Sequence, residues 1–342
     1  MLCGLLLLCG PGGSMKLRSS IVGILALALI AATGCSGAEE STKATAAGGT
    51  TLEKTKINIG TIPVVDTAPL QIAMEKGLFK AEGLDVTLTT LAGGAEAIPK
   101  LKSGALDISF GNYVSFFSAD AKGVIDLKIV SDGFQSAKGT HTIMVAKDSP
   151  IQTVADLKGK TIAVNTKRNI STMLIRAAAK ANNFDLDEDK NFVEFPFPEM
   201  EGVLKGGKAD AIQPVEPFGT FIGQSIGARV IWDTSQGPTA DFPIAGYAAT
   251  SEFVKASPNT VAAFQRAMGK AMALAADRAN VVAIIPKYTT IKADAAASLA
   301  IGGFPTTLNA TRLQRVADTM HEYGLLDETL NVQDLIAAPS GK

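Results

Sequence analysis

The chain has 342 residues, 46% of them hydrophobic and 19% charged, which gives room for two domains at about 100–200 residues each and excludes disordered and collagen-like classes. Lys and Arg number 32 against 33 Asp and Glu, so no basic surplus exists to neutralise phosphate backbones, and the composition argues against a nucleic-acid partner. Histidine occurs only at His141 and His321, which argues against general-base and zinc chemistry.

The first element is a targeting segment. Residues 1–14 read as a start-site extension, with the natural start at Met15. Lys16 and Arg18 then form a positive n-region, and Ile21 to Ala32 is an apolar run too short to span a bilayer. Residues 1–34 therefore read as a secretory signal peptide. Ala32-Thr33-Gly34-Cys35 resembles a bacterial lipobox, with Cys35 the lipidated residue. Residues 35–55 carry that Cys and a Ser/Thr/Ala/Gly-rich stretch that reads as a flexible linker. The other two cysteines, Cys3 and Cys9, leave with the signal. The body has no thiol for a disulfide, a nucleophile or a metal cluster. The expected location is extracytoplasmic, anchored to the membrane by lipid, with no metal or cofactor.

From Lys56 onward, short apolar runs alternate with helical patterns. Strands are expected at Ile57–Ile62, Leu84–Thr90, Asp107–Phe110 and Leu127–Val130. Helices are expected from Pro69 to the Gly77 stop and over Ala95–Ser103, ending at Gly104. The order then recurs: strands at Lys160–Val164, Phe192–Phe195 and Ala209–Ile212, with helices at Asn169–Lys180, Glu199–Lys205 and Glu216–Ser225. Leu101-Lys102-Ser103-Gly104-Ala105-Leu106-Asp107 repeats as Leu204-Lys205-Gly206-Gly207-Lys208-Ala209-Asp210, a helix end, a Gly turn and an Asp before a buried strand. Strands alternating with helices imply an α/β architecture with parallel pairing. The expected division is lobe one over 56–139, lobe two with the crossovers over 140–245, and a return to lobe one with C-terminal helices over 246–342. Ala245–Thr250 is the return strand. Ser257-Pro258 is the expected cap and first residue of a helix whose face is Val261, Phe264, Met268, Met272 and Ala275; Leu313, Val316, Ala317 and Met320 line another.

Ligands of open α/β sheets sit beyond the carboxyl ends of the strands, where helix N-termini present free N–H groups. The loops there carry the candidate ligand residues. Gly93-Gly94 allows close backbone approach or is a plain turn. Asn112 is a ligand amide or a helix cap, and Tyr113 is a candidate stacking wall. Asn165, Arg168 and Asn169 gather at a helix start; Arg168 suits an anion or is a solvated surface charge. Glu216 places a carboxylate at a helix start, followed by Phe218; Asp66, with its neighbour Thr67, is a further candidate. Phe134 and Phe242 join Tyr113 and Phe218 as rings that could sandwich an aromatic solute.

The stretch Ala68-Pro69-Leu70, Glu75-Lys76-Gly77-Leu78-Phe79, Glu82-Gly83-Leu84-Asp85-Val86, Gly93-Gly94 and Ser103-Gly104, with Val154-Ala155-Asp156-Leu157-Lys158-Gly159-Lys160, Gly207, Asp210-Ala211, Glu216-Pro217 and Gly246-Tyr247, resembles the nitrate/sulfonate/taurine solute-binding proteins of ABC importers, the SsuA/THI5-like family. The resemblance runs from Lys56 to about Tyr323. It implies a type II periplasmic-binding-protein fold, two Rossmann-like lobes joined by crossover strands with a helical C-terminal segment. It further implies capture of a small solute between the lobes and delivery to an ABC permease and its ATPase, with no chemistry of its own. Family members bind taurine, alkanesulfonates, nitrate, bicarbonate, thiamine pyrimidine precursors or flavin-like molecules. The expected solute is therefore a small anion of the sulfonate, taurine or nitrate class or a heteroaromatic; the alternative is a thiamine-pyrimidine or flavin-like precursor. Thr166-Lys167-Arg168-Asn169 stands where the family commonly has Gly-Ser, so sulfonate contacts do not carry over directly. Two other functions compete. A pyrimidine synthase on the same fold needs a cysteine-rich iron motif that this body lacks, and His141, at the expected crossover, reads as structural. A ligand-sensing lipoprotein would use the same lobes for signalling.

Overall fold

The computed structural model describes residues 51–339. The expected signal segment, the expected lipidation motif at Cys35 and the expected linker to residue 50 lie outside the described residues. Apolar runs rich in β-branched residues form strands β1 (Lys56–Thr61), β2 (Asp85–Thr90), β3 (Ile108–Asn112), β4 (Leu127–Gln135), β5 (Thr142–Val145), β6 (Ile162–Val164), β7 (Phe192–Glu194), β8 (Ala211–Ile212), β9 (Arg229–Asp233) and β10 (Pro243–Thr250). The helices are α1 (Ala68–Glu75), α2 (Leu78–Ala81), α3 (Ala97–Lys102), α4 (Tyr113–Ala121), α5 (Ile170–Ala181), α6 (Met200–Lys205), α7 (Phe218–Ile226), α8 (Ser251–Ala256), α9 (Pro258–Ala275), α10 (Arg278–Ile284), α11 (Ala293–Ala296) and α12 (Ala310–Glu322).

Two five-stranded sheets result, ordered β2-β1-β3-β10-β4 and β7-β6-β8-β5-β9. In each, the first three strands are parallel and the fourth runs antiparallel to both neighbours. The antiparallel strand of the first sheet, β10, follows the second lobe in sequence, whereas that of the second sheet, β5, precedes the rest of its lobe. The chain therefore crosses between the lobes twice, after β4 and after β9. These crossings are tied together: the Ser136 N–H donates to the Phe242 carbonyl and the Phe242 N–H to Ser136 Oγ, both at 2.9 Å.

The repeated seven-residue motif acquires a physical role. Gly104 and Gly207 adopt φ of +73° and +63°, a left-handed turn that suits Gly because a Cβ would be strained there. The Asp that ends each copy then ties its strand to the neighbouring parallel strand, β1 in lobe one and the start of β6 in lobe two. Asp107 Oδ2 accepts from the Asn58 N–H and Asp210 Oδ2 from the Thr161 N–H, both at 2.9 Å. In each case the Asp N–H donates back to the same residue's carbonyl at 2.9 Å.

The central strands are covered on both faces, so they read as continuous apolar runs; all five residues of β3 and the first seven of β10 are buried. The expected faces of α9 and α12 are buried throughout, with Phe264 of α9 stacked on Phe79 at 5.8 Å between ring centres. Buried Glu82 accepts from Arg266 Nε at 2.8 Å and Lys270 Nζ at 2.7 Å, fastening α9 to the loop after α2. No helix among the described residues is long and apolar enough to cross a membrane.

Several sequence expectations shift. β4 runs on to Gln135 because β10 pairs with it along its length. The helix expected from Ala95 begins as a 3₁₀ turn at Gly94–Glu96 and becomes α-helical only at Ala97. The return strand starts at Pro243, inside the span assigned to lobe two. The linker does not extend to Thr55: Leu52 is 3% exposed, and Glu53 occupies the N-terminus of α9. That carboxylate accepts from the N–H groups of Asn259 (3.2 Å) and Thr260 (3.0 Å). Ser257 holds the cap position but its side chain makes no capping hydrogen bond. A full negative charge serves several free donors and the positive helix end at once, which a single hydroxyl cannot.

Candidate functional site

The carboxyl ends of the strands in both sheets face one cavity of about 40 Å³, lined from lobe one by Ile62, Val64, Asp66, Gly94, Phe110 and Asn112, and from lobe two by Asn165, Asn169, Ile170, Ser171, Phe197 and Val215. His141 of the first crossover and Ile244 and Ala245 of β10 complete the wall. On a scale where one water needs about 10–15 Å³, this is space for a few water-sized groups. A hollow of about 200 Å³ lies elsewhere, against Asp132 and Gln265; it is bounded by the middle of β4, α9 and the C-terminal segment, away from the strand ends.

Five sequence-predicted residues meet in the interlobe cavity: Asp66, Gly94, Asn112, Asn165 and Asn169. Gly94 sits so close to β3 that a Cβ there would lie 3.1 Å from the Asn112 backbone nitrogen and the Gly111 Cα. Gly93 faces the other lobe; a Cβ would lie 3.1 Å from Asn165 Nδ2. Asn112 both lines the cavity and caps α4, its Oδ1 accepting from the Ser115 N–H at 2.9 Å. Asn169 caps α5, accepting from the Ser171 N–H at 3.0 Å, and its Nδ2 donates to Asn165 Oδ1 at 3.2 Å.

The remaining predicted residues do not line the cavity. Arg168 points to solvent with its side chain 61% exposed, paired with Asp189 at 3.1 Å; its φ of +53° turns it out of the loop, and the anion-binding role expected of it has no geometric basis. Tyr113 is not a stacking wall. It is the first residue of α4, fully buried, and its phenol donates to Asp132 Oδ1 at 2.6 Å, while Asp132 also pairs with Arg312. Thr67 turns inward and donates to the carbonyls of Ile62 (2.8 Å) and Val64 (3.0 Å). Phe218 stacks on Phe197 at 5.9 Å behind the cavity. Phe134 packs on Phe304, and Phe242 lies under the Arg315 guanidinium. Glu216 binds its own helix start, accepting from the Thr220 N–H (3.0 Å) and hydroxyl (2.8 Å). It also joins the lobes: its carbonyl accepts from the Val65 N–H at 2.9 Å and its Oε1 from the Ala300 N–H at 3.2 Å.

The electrostatics of the cavity are unusual for an anion site. No Lys or Arg lines it. His141 is pushed down to about 4 by burial, with Asp233 acting in the opposite direction, so it is a neutral imidazole at pH 7; its Nδ1 lies 3.1 Å from Thr140 Oγ1. Asp66 is 6% exposed. Burial, against a hydrogen bond from its own N–H and with the help of the Glu216 charge, raises its carboxyl to about 7. Among the described residues, no group of three His, Cys, Asp or Glu side chains is gathered for a metal ion.

Sequence reasoning missed Ile62, Val64, Phe110, Ile170, Phe197, Val215 and Ile244 as cavity residues. Their signal was positional: most follow a strand or start a helix, while Phe110 lies within β3 and Ile244 near the start of antiparallel β10. Apolar residues there look like ordinary core until two sheets are brought face to face.

The profile of the NMT1-like family matches residues 50–286. The chain is 26% identical over 206 residues to the nitrate import ATP-binding protein NrtC of Synechocystis, covering 56% of this chain and 31% of that one, so it spans about a third of that relative's length. Its fold matches the alkanesulfonate-binding protein SsuA of Xanthomonas axonopodis bound to MOPS, with a TM-score of 0.70 at 18% identity over 83% of this chain and 98% of that one. It also matches the periplasmic nitrate-binding protein NrtA of Synechocystis, with a TM-score of 0.65 at 16% identity over 82% and 85% of the two chains. The fold is that of the periplasmic binding proteins.

Proposed function

The chain belongs to the NMT1-like family, and on that premise we propose that it is the extracytoplasmic solute-binding component of an ABC importer, held to the membrane by lipid on Cys35. A small solute enters between the lobes, the lobes close over it about the paired crossovers, and the closed form is read by a permease whose cytoplasmic ATPase drives uptake. Closure is favoured only to the extent that the solute binds the closed form better than the open one. The observation that carries this reading is a cavity bounded by strand ends of both sheets and by the first crossover. The relatives' names in nitrate import and alkanesulfonate binding support the importer role.

The same names suggest an anionic solute, but the cavity does not favour one. Arg168, the cation that supported it, is on the surface, and the ionisable groups lining the cavity are a carboxyl and a neutral imidazole. The lining fits an uncharged or positively charged solute better than the sulfonate or nitrate that the relatives' names suggest. Native mass spectrometry of the protein isolated from its own cells tests solute capture: a retained small molecule whose removal lowers the melting temperature is expected. A protein that retains nothing, and whose melting is unmoved by extracts of its growth medium, would refute the role.

A further inference from the structure

Asp66 differs from every other well-buried carboxylate in the described structure by what it lacks. Glu82 holds Arg266 and Lys270, Asp132 holds Tyr113 and Arg312, and Asp107 holds Lys54 and the Asn58 N–H. Glu216 is occupied by Thr220 and Ala300. Asp66 accepts a hydrogen bond from its own N–H and from no other described residue, although it is only 6% exposed. Buried carboxylates are stable only when paired, and this one opens on the interlobe cavity.

The other polar groups of the cavity are largely committed. The carbonyl oxygen of Asn112 caps α4, and that of Asn165 accepts from Asn169 Nδ2 and Ser171 Oγ. What the cavity still offers is one carboxyl acceptor, the amide nitrogens of Asn112 and Asn165, the Nε2 of neutral His141, and apolar walls from Ile62, Val64, Phe110, Ile170 and Ile244. An anion placed there would meet the Asp66 charge with no cation to offset it.

We propose that Asp66 is the recognition group of this site and that the solute is a small organic cation of the amidinium type, donating two N–H bonds to that carboxyl. The proposal rests on the solute-binding reading and narrows it to one ligand class. A planar N–C–N cation matches a carboxylate with two parallel hydrogen bonds, and an acceptor elsewhere on the solute meets the two amide nitrogens. The raised carboxyl of Asp66 is what an acid looks like when its counter-charge is supplied from outside; a bound cation draws it back down and holds it ionised. The groups that bear on it are Glu216 before α7, Tyr247 of β10 and Tyr288 after α10, with neutral His141 on the cavity wall. Neither phenol ionises below pH 10, since burial first, and then the Asp66 charge among other causes, raises both.

The test is calorimetric titration of the intact protein and of Asp66→Asn with acetamidinium chloride, sodium nitrate and sodium methanesulfonate, at fixed ionic strength. Acetamidinium is expected to bind the native protein at pH 8, to bind Asp66→Asn at least tenfold more weakly, and to lose about tenfold in affinity per pH unit below pH 7. Melting of Asp66→Asn, expected at or above that of the native protein, excludes a folding defect as the cause. Binding of nitrate or methanesulfonate by the native protein, equal acetamidinium affinity in the two proteins, or no binding of acetamidinium at all would each overturn the assignment. A small molecule retained in native mass spectrometry would leave solute capture standing in any of those cases.

Discussion

The raised carboxyl of Asp66 makes a stability prediction that needs no ligand. Burial moves this group from its ordinary 3.8 to about 7 in the folded protein. Below pH 3.8 it is protonated in both the folded and unfolded chain and contributes nothing. Between pH 3.8 and 7 the unfolded chain has released the proton while the folded protein still holds it. The unfolded state then binds fewer protons, and stability falls as pH rises. At about 1.4 kcal/mol per pH unit across that window, the full cost is about 4 kcal/mol and is reached above pH 7. Asp66→Asn keeps the shape of the neutral acid and removes the ionisation. The variant is expected to match the native protein near pH 4 and to exceed it by up to about 4 kcal/mol at pH 8. For an ordered body of about 290 residues, with an unfolding entropy of about 0.6 kcal/mol/K, that is a melting temperature higher by about 7 °C. Urea denaturation of both proteins at half-unit steps from pH 4 to 8 measures the difference curve, in which carboxylates common to both cancel. A difference that is flat with pH, or an Asn variant less stable at pH 8, would refute the reasoning about this carboxyl.

Four further outcomes follow from the geometry. Gly94→Ala places a methyl 3.1 Å from the β3 backbone, so denaturation should show a loss of about 1–3 kcal/mol, with solute retention in native mass spectrometry weakened because the same loop lines the cavity. Tyr113→Phe removes the donor to Asp132 and should cost about 1–2 kcal/mol while leaving solute retention unchanged; lost retention would return Tyr113 to the binding wall. Arg168→Ala breaks an exposed pair with Asp189 and should move stability by less than about 1 kcal/mol, again without effect on retention. Cys35→Ser should shift the protein from the membrane to the soluble fraction and abolish incorporation of a radiolabelled fatty acid; an unchanged distribution would rule out lipid at that residue.

Much of the architecture was legible in one dimension because it depends on local repetition. The alternation of apolar runs with helical periods, the Gly stops at Gly77 and Gly104, and the doubled Leu-Lys…Asp segment depend on residues close together in the chain. Their α/β outcome follows from backbone geometry and burial alone. The faces of α9 and α12 were readable for the same reason: side chains three and four positions apart meet on one side of a helix. The return strand was readable at Ala245–Thr250, but the antiparallel pairing of β5 and β10 with the third strand of each sheet was not, because strand pairing between segments distant in sequence leaves no periodic mark.

The site divides along the same line. The loops after the strands were singled out from topology, and Asp66, Gly94, Asn112, Asn165 and Asn169, named from that reasoning, line the cavity. Which side chain in each loop faces the cavity is set by χ angles and by partners far away in sequence. Arg168 looked like a ligand until Asp189 claimed it, and Tyr113 until Asp132 did. Asp66 was one candidate among several in the sequence, since nothing nearby distinguishes a paired from an unpaired acid. Two lobes and the loops at their strand ends are properties of the amino-acid order. The charge of the cavity is a property of the packed molecule, because it depends on which ionisable groups find partners before any solute arrives.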